Sequence, residues 1–261
     1  MKLFTVDAFT DRPFAGNPAA VAIVDGPLDD AQRQALAAEM NLSETAFVEL
    51  GEERHGLRWF TPAAEVDLCG HATLASAHVL FTEGYWPKDK PAYFDTRSGE
   101  LVVRWEDGAL VMDFPVRPTE TVTVVPEYKE MIPGSLILSA SRDKYNLILE
   151  LPDEASVRAA KPNMEQIARY SNQAMIITSV GEQHDFVSRF FGPNVGVPED
   201  PVTGSAHCQL APFWEAKLHK TSFTAFQASA RGGELQVSLE RDRCLLKGQA
   251  VTVLRGEVNV G

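Results

Sequence analysis

The sequence predicts an α+β fold of two similar halves, each made of many strands around one long apolar helix. The first observation is a repeat: a five-residue motif returns 131 residues later, as Arg58-Trp59-Phe60-Thr61-Pro62 and Arg189-Phe190-Phe191-Gly192-Pro193. A second motif returns at an offset of 134, as Ser98-Gly99-Glu100-Leu101 and Gly232-Gly233-Glu234-Leu235. In addition, each half contains one long segment, 70–81 or 204–218, with helical spacing and apolar residues nearly all round, which is typical of a buried helix.

The first half begins with a strand at 3–8, a turn cluster at 11–18 and a second strand at 19–24. Asp29, with Gln32 three residues later, has the pattern of a capping box, and Asn41 is a suitable end for the helix that follows. Strands are predicted at 45–50 and 57–60, before the helix at 70–81. After that helix, the patterns predict hairpin strands at 94–97, 100–105 and 109–114.

The region 115–133 is rich in Pro, Thr and Glu, and is predicted to be the linker between the halves. We place the N-terminal half at 1–116, completed by the last strand at about 250–261, and the C-terminal half at 117–249. The second half repeats the order of the first, with a helix at 164–170 before the long helix. Its predicted strands are 135–139, 146–151, 174–179, 186–191, 221–229, 234–239, 244–247 and 249–254.

Composition excludes several classes of function. The 261 residues are 44% hydrophobic and 23% charged, as in an ordinary globular protein, and the net charge of -12 leaves no basic patch for a nucleic acid. Neither a signal peptide nor an apolar run of the ~18 residues of a membrane span is found, so we expect no membrane partner. Three widely separated cysteines fit a reducing compartment, and we expect a cytoplasmic protein.

Glu44 is the first candidate for chemistry, since it lies between the end of a helix and the start of an apolar strand. A carboxylate desolvated at the lip of a sheet has its pKa raised from about 4.3 toward neutrality, which suits reversible proton transfer. A solvated loop acid is the alternative, and composition alone favours it, because most Glu residues are exposed.

Two helix entrances supply the other candidates. Gly70 and His71 follow Cys69, and Gly204 and Ser205 follow Asp200, so free N–H groups of each first turn are available to an anion. The alternatives are a packed cysteine, a hydrogen-bonded histidine and a carboxylate that only caps its helix. Cys-x-His is a poor metal motif, so no metal is predicted. The pattern Gly-x-Ser-x-Gly is absent from the sequence, which argues against a hydrolase triad.

The turn cluster 11–18 is the last candidate. It is either a rigid turn or a loop that leans over a ligand, and a turn is the better interpretation for every member except Asn17.

Together these motifs resemble the phenazine-biosynthesis PhzF-like family, which shares the diaminopimelate epimerase fold. The resemblance rests on four motifs in order: Phe9-Thr-x-x-Pro-Phe-x-Gly-Asn17-Pro-Ala, Asn41-Leu-Ser-Glu44-Thr, Cys69-Gly-His-Ala-Thr and Glu199-Asp200-Pro-x-Thr-Gly-Ser205-Ala. It implies two similar halves, each a curled, mostly antiparallel sheet around a central helix, with a ligand cleft between them. It also implies a homodimer, no cofactor and a small carboxylate substrate.

The resemblance implies a role for each motif. Glu44 resembles a general acid/base, and its polar partners would be Ser43, His71, Asp200 and Ser205. The helix entrances at Gly70-His71 and Gly204-Ser205 would hold the substrate carboxylate through their N–H groups. Epimerase relatives have a cysteine at each corner, and here Asp200 would replace the second one, which argues against a two-thiol racemase.

The leading hypothesis is a cofactor-independent isomerase that shifts a proton on a small conjugated carboxylic acid, with Glu44 as its acid/base. One alternative is an amino-acid epimerase that uses Cys69 and Asp200. Another is a non-catalytic metabolite-binding or interaction protein on the same fold.

Overall fold

The chain folds into two units that repeat one order of strands. The computed structural model describes residues 1–172 and 174–260. The first unit contains residues 1–113 and the residues from 247 onward, and the second contains 114–246. The boundaries expected from the sequence, 1–116 and 117–249, lie three residues further along the chain.

The first unit is a mostly antiparallel sheet around one buried helix. Its helices are α1 (Asp30–Met40) and α2 (Gly70–Thr82). Its strands are β1 (Lys2–Ala8), β2 (Asn17–Val24), β3 (Glu44–Glu49), β4 (His55–Phe60), β5 (Glu65–Val66), β6 (Ala92–Thr96), β7 (Gly99–Glu106), β8 (Ala109–Pro115) and β18 (Ala250–Glu257). The strand pairs β2–β3 and β4–β6 are parallel, and the pairs β18–β1, β1–β2, β3–β4, β6–β7 and β7–β8 are antiparallel.

The second unit has the same sequence of pairings. Its strands are β9 (Glu120–Val122), β10 (Ser139–Arg142), β11 (Asn146–Glu150), β12 (Ala174–Val180), β13 (Phe186–Gly192), β14 (Val197–Asp200), β15 (Ser222–Gln227), β16 (Gly233–Glu240) and β17 (Arg243–Gly248). Its helices are α3 (Pro126–Met131), α4 (Glu154–Ala159), α5 (Met164–Tyr170) and α6 (Gly204–Leu218), with a 3-10 turn at Pro193–Val195. The pairs β11–β12 and β13–β15 are parallel, as β2–β3 and β4–β6 are in the first unit. The predicted α+β architecture of two similar halves is confirmed.

Each central helix is buried by its own sheet. Every residue of α2 from His71 to Phe81 is buried, and the helix packs against β1, β2, β3 and β18. In α6, Trp214 is buried, donates a hydrogen bond to Thr178 on β12 and stacks on Phe186 of β13. Apolar residues all round a helix therefore did predict burial.

Local signals predicted the helix ends well. Asp29 and Gln32 form the expected capping box at the start of α1, and Asn41 ends that helix in the left-handed conformation. The predicted helix 204–218 has the bounds of α6.

The predicted linker 115–133 is wrong, because this segment belongs to the second unit. It contains β9 and α3, and Met131 and Ile132 are fully buried in the core of that unit.

Pro212 lies inside α6 and has no N–H to donate to the carbonyl of Cys208, four residues before it. The N–H of Arg117 donates to that carbonyl instead, at 3.0 Å, so the segment packs along the helix.

One predicted strand and one helix that was not predicted also separate the prediction from the structure. Residues 135–138 are not a strand, and Leu136 and Leu138 are exposed, so the alternation of their side chains does not reflect a sheet. Helix α4, capped by Asp153, was not predicted.

Within the described parts of the chain, no helix combines the length and apolarity needed to cross a membrane.

The loop before β2 depends on one glycine. Gly16 has a φ of +64°, and a Cβ placed on it would lie 2.1 Å from the carbonyl oxygen of Ala8. The adjoining loop is held by the carboxylate of Asp7, which accepts a hydrogen bond from the N–H of Phe14 at 2.7 Å. Gly16 therefore determines how the chain reaches Asn17, the first residue of β2.

We expect Gly16→Ala to lower the free energy of unfolding by at least about 2 kcal/mol, since the left-handed conformation alone costs 1–2 kcal/mol for a residue with a Cβ and the backbone clash adds to it. Urea denaturation of the variant measures this change. Gly26→Ala is the matched control, because a Cβ there meets nothing within 4 Å. Equal midpoints for the two variants would contradict the prediction.

Candidate functional site

Two neighbouring parallel strands begin at one edge of the first sheet and place two side chains there. β2 begins at Asn17 and β3 at Glu44, and the register pairs Ala19 with Glu44. Asn17 is fully buried, whereas 14% of the Glu44 side chain is exposed. Glu44 is therefore a largely desolvated carboxylate that solvent still reaches.

The first turn of α2 adds a histidine and a cysteine to this edge. His71 Nε2 lies 3.2 Å from Glu44 Oε2, and His71 Nδ1 lies 3.1 Å from Asn17 Nδ2. The sulfur of Cys69, the N-cap residue of α2, lies 3.5 Å from the same Nδ1. The structure thus brings together three predicted site residues, Asn17, Glu44 and His71.

Burial determines the charge of His71. Desolvation lowers the pKa of this imidazole to about 3, so the ring is neutral at pH 7. Asn17 Nδ2 can only donate, so Nδ1 accepts and the ring proton is on Nε2. His71 is therefore a neutral ring whose Nε2 lies 3.2 Å from Glu44 Oε2, and these two atoms are not aligned as a hydrogen bond.

Glu44, Cys69 and His71 also have the donor atoms of a metal site, within 4.8 Å of one another. However, the imidazole lies between the other two groups, with Nε2 toward Glu44 and Nδ1 toward Cys69. One ring nitrogen cannot face both groups unless the ring turns. We therefore interpret this set as a cluster of polar groups around the imidazole and not as a metal site.

Two further predicted site residues, Ser43 and Gly70, are next to this corner in the chain. Ser43 directly precedes β3 and is half-buried, and Gly70 is the first residue of α2. The side chain of Cys69 makes no capping hydrogen bond among the described residues, so the first N–H groups of α2 are not capped by it.

The second unit has its own corner, around Asp200 at the end of β14. Asp200 Oδ2 accepts a short hydrogen bond from Thr203 Oγ1. Gln227, on β15, accepts from the N–H of Thr203 at 2.8 Å and donates to the carbonyl of Asp200 at 2.7 Å. Helix α6 then begins at Gly204, and Ser205 is half-buried in its first turn.

The structure corrects the equivalence of Cys69 and Asp200. The N-cap residue of α2 is Cys69 and that of α6 is Thr203, so Thr203 occupies the position of the second cysteine. In each unit an arginine on the preceding strand binds a glutamate with two hydrogen bonds, Arg58 to Glu65 and Arg189 to Glu199. These pairs are seven and ten residues apart, and the 3-10 turn at 193–195 lies within the longer interval. The offset thus changes from 131 to 134 before the helix, and Asp200 precedes the equivalent position by three residues.

Sequence reasoning missed two residues of these corners, Thr203 and Gln227. Cys69 was weighed both as a packed residue and as the thiol of an epimerase, and its sulfur lies 3.5 Å from His71 Nδ1. Thr203 was visible within the motif before α6. Gln227 had no local signal, because the parallel pairing of β13 and β15 brings it to the corner from another strand.

Comparison with known proteins agrees with this architecture. A family model described as phenazine biosynthesis-like protein matches residues 6–256. An uncharacterized isomerase of Pseudomonas aeruginosa is 48% identical over 261 residues, which cover 100% of this chain and 99% of the relative. A PhzF-family phenazine biosynthesis protein of Enterococcus faecalis has a similar crystal structure, with a TM-score of 0.95 and 39% identity over 99% of this chain and 98% of that one.

A more distant structure shows the fold alone. A predicted epimerase of Pseudomonas aeruginosa has a TM-score of 0.75 at 21% identity, over 98% of both chains. The epimerase-like fold expected from the motifs is confirmed.

The buried histidines predict how stability depends on pH. Burial lowers the pKa of His71 to about 3 and that of His78 and His207 to about 4. The unfolded chain, with histidine pKa values near 6.5, therefore binds more protons than the folded chain between about pH 6.5 and 4. Stability is highest above this window and falls as the pH drops through it, by up to about 1.4 kcal/mol per pH unit for each histidine.

Urea denaturation at several pH values between 7.5 and 5 measures this slope. We expect His78→Gln to reduce it by up to the share of one histidine, because the variant can no longer take up that proton on unfolding. His219→Asn, at an exposed left-handed C-cap, is the control. A wild-type slope in His78→Gln would contradict the assignment.

Proposed function

We propose, from the premise that this chain belongs to the PhzC-PhzF family of phenazine biosynthesis-like proteins, that it is a cofactor-independent isomerase. It would move a proton between two carbons of a small conjugated carboxylic acid. Relatives from two bacteria, 45% and 48% identical to this chain, carry the name isomerase.

The observation that carries the proposal is the contact of Glu44 with a neutral, buried histidine. The carboxylate is 14% exposed, and its Oε2 lies 3.2 Å from His71 Nε2. An imidazolium there would hold Glu44 ionised as a tight ion pair. A neutral imidazole at this distance leaves the carboxylate able to take up a proton, as a general base must.

Glu44 then acts as base and acid in turn. It takes a proton from an activated carbon, and the electrons of the broken C–H bond enter the conjugated system of the substrate. The same carboxylic acid returns the proton to another carbon of that system. The neutral ring of His71 lies beside the carboxylate during both transfers, and Asn17 holds that ring in the tautomer with its proton on Nε2.

The helix N-termini suit a carboxylate substrate. The side chains of the two N-cap residues, Cys69 and Thr203, make no capping hydrogen bond within the described chain, so first-turn N–H groups are available to an anion. We assign Gly70 and Ser43 to substrate binding in the first unit. We assign Asp200, Gly204 and Ser205 to polar contacts with the substrate in the second unit.

A second candidate function is epimerisation of an amino acid by Cys69 with Asp200. The contact of the Cys69 sulfur with His71 Nδ1 favours it, since an imidazole beside a thiol helps to form the thiolate. The threonine at the equivalent corner counts against a two-thiol mechanism, since its hydroxyl is a far weaker acid than a thiol. Under epimerisation, Cys69→Ser would abolish exchange of the substrate α-hydrogen with solvent deuterium.

We expect Glu44→Gln to slow proton exchange by about 10²–10⁴-fold, the usual contribution of a general acid/base. The assay incubates cyclohexadiene carboxylic acids and other small conjugated acids with the protein in D2O. Proton NMR then follows both deuterium incorporation and the appearance of isomers.

Glu53→Gln is the matched control, because it makes the same change at an exposed loop position. If Glu44→Gln kept the wild-type rate of deuterium incorporation, the assignment of Glu44 as the general acid/base would be wrong. A compound that is bound but not converted by the wild type, with the same affinity in Glu44→Gln, would indicate a binding protein.

A further inference from the structure

A buried glutamine holds the segment between β14 and α6 in the second unit. Gln227 is fully buried at the end of β15, and its Oε1 accepts a hydrogen bond from the backbone N–H of Thr203 at 2.8 Å. Its Nε2 donates to the carbonyl of Asp200 at 2.7 Å and to Thr203 Oγ1 at 3.2 Å. The oxygen and the nitrogen of this amide are therefore both bonded to one short segment.

These contacts determine the direction of the Thr203 hydroxyl. An amide nitrogen can only donate, so Thr203 Oγ1 accepts from Gln227. The proton of the hydroxyl then goes to Asp200 Oδ2, with which Oγ1 makes a short hydrogen bond. The three side chains thus form a chain of hydrogen bonds in one direction, from Gln227 through Thr203 to the carboxylate of Asp200.

The same contacts keep Thr203 from capping α6. Thr203 is the N-cap residue of this helix and has the extended backbone of a capping residue, with a φ of −108° and a ψ of 97°. A threonine in this position usually accepts a hydrogen bond from an N–H of the first turn. Among the residues that the structure describes, its side chain makes no such bond, because the hydroxyl is held between Gln227 and Asp200.

The first unit has other residues at all three positions. The strand registers and the helix starts give the counterparts of Gln227, Thr203 and Asp200 as Thr96, Cys69 and Val66. The hydroxyl of Thr96 donates to the carbonyl of Gly99, at 2.6 Å, within its own hairpin. The chain of hydrogen bonds is therefore a feature of the second corner and not of the repeated scaffold.

We propose that Gln227 is a positioning residue of the second corner. It holds the Thr203 hydroxyl on Asp200, which fixes the orientation of that carboxylate. It also keeps the hydroxyl away from the first turn of α6, whose N–H groups then remain available to the carboxylate of a substrate. The inference rests on the substrate contacts proposed above for Asp200 and the start of α6.

Amide hydrogen exchange, followed by NMR, tests the inference without a substrate. Gln227→Met removes the amide and keeps a side chain of similar length. The released Thr203 hydroxyl is expected to cap α6, so exchange of the N–H groups of Ser205 and Ala206 should slow by about fivefold, the factor that corresponds to a capping bond of ~1 kcal/mol. If Gln227 only supported the fold, its loss would loosen this segment, and exchange would stay the same or accelerate.

Thr203→Val separates the hydroxyl from the backbone. Valine has nearly the shape of threonine but cannot cap a helix, so the double variant Gln227→Met/Thr203→Val should lose the slower exchange. Thermal unfolding checks that each variant is folded, and Gln227→Asn, whose amide is one methylene shorter, replaces a methionine variant that does not fold, with the same expectation. Exchange at or above the wild-type rate in the folded single variant, or slower exchange that persists in the double variant, would overturn the proposal.

The kinetics of a converted acid give a second readout. Gln227→Met should raise KM, because a capped helix binds a carboxylate less well, and should lower kcat/KM by at least about tenfold, because Asp200 loses its orientation. Ser229→Ala is the matched control, since it removes another hydrogen bond to the same segment, from Ser229 Oγ to the carbonyl of Pro201 at 2.8 Å. Equal effects of the two substitutions would reduce Gln227 to an anchor of the loop and contradict the proposal.

The two proposals can fail separately. If Glu44→Gln keeps the wild-type rate of deuterium incorporation while Gln227→Met slows amide exchange and lowers kcat/KM, the positioning role of Gln227 stands and the role of Glu44 as acid/base is wrong. If amide exchange is not slowed in Gln227→Met, the positioning role is wrong, whatever the rate of Glu44→Gln.

Discussion

Burial of the His71 imidazole is the interaction on which the candidate site depends. A ring with a pKa of about 3 has one donor and one acceptor at neutral pH, so the partner of each nitrogen is determined. Asn17 Nδ2 lies 3.1 Å from the accepting Nδ1, and Glu44 Oε2 lies 3.2 Å from Nε2 without being aligned as a hydrogen bond. These partners come from adjacent parallel strands, and the register of β2 and β3 therefore sets the position of the carboxylate.

The two units share their supporting residues and differ in their reactive ones. Each has an arginine–glutamate pair with two hydrogen bonds before its central helix, which holds the turn between strand and helix. The strand pairs Thr45–Phe60 and Met175–Phe191 show which residue of the second unit is equivalent to Glu44. Since Phe60 and Phe191 are equivalent in the repeat, Ala174 takes the place of Glu44. The carboxylate of the second corner, Asp200, is instead on the segment that is three residues longer.

Features with local causes could be predicted from the sequence. Asp29 and Gln32 lie within one helical turn of each other. The apolar surface of each central helix comes from residues of one continuous segment, so its burial could be predicted from that segment alone. Contacts between distant segments could not be predicted in this way. Asn17 and His71 are 54 residues apart, and Gln227 reaches Thr203 across 24 residues because β15 pairs with β13.

The repeat shows the same limit of sequence reasoning. An offset of 131 is correct along the strands, but three residues added at the 3-10 turn move the helix entrance. A constant offset therefore aligned Cys69 with Asp200, although the helix starts align it with Thr203. The offset of 134 at the second motif shows that three residues are added between the motifs, and the paired Arg–Glu contacts place them before the helix.

Only some of the helices have a side-chain cap. Asp29, Asp153 and Asn163 cap the peripheral helices α1, α4 and α5 with side-chain hydrogen bonds, whereas α3, which follows Val125, is not capped in this way within the described residues. Thr203 is a residue type that caps well, yet its hydroxyl donates to Asp200 and no side-chain cap of α6 is found in the described chain.

A missing cap forgoes about 1 kcal/mol of stability, and both central helices lack one although they are the best-packed helices of their units. The hydroxyl of Thr203, bonded to Asp200, leaves the first N–H groups of α6 without a side-chain cap among the residues described. Uncapped N–H donors at both helix entrances are the arrangement that the proposed binding of a carboxylate requires.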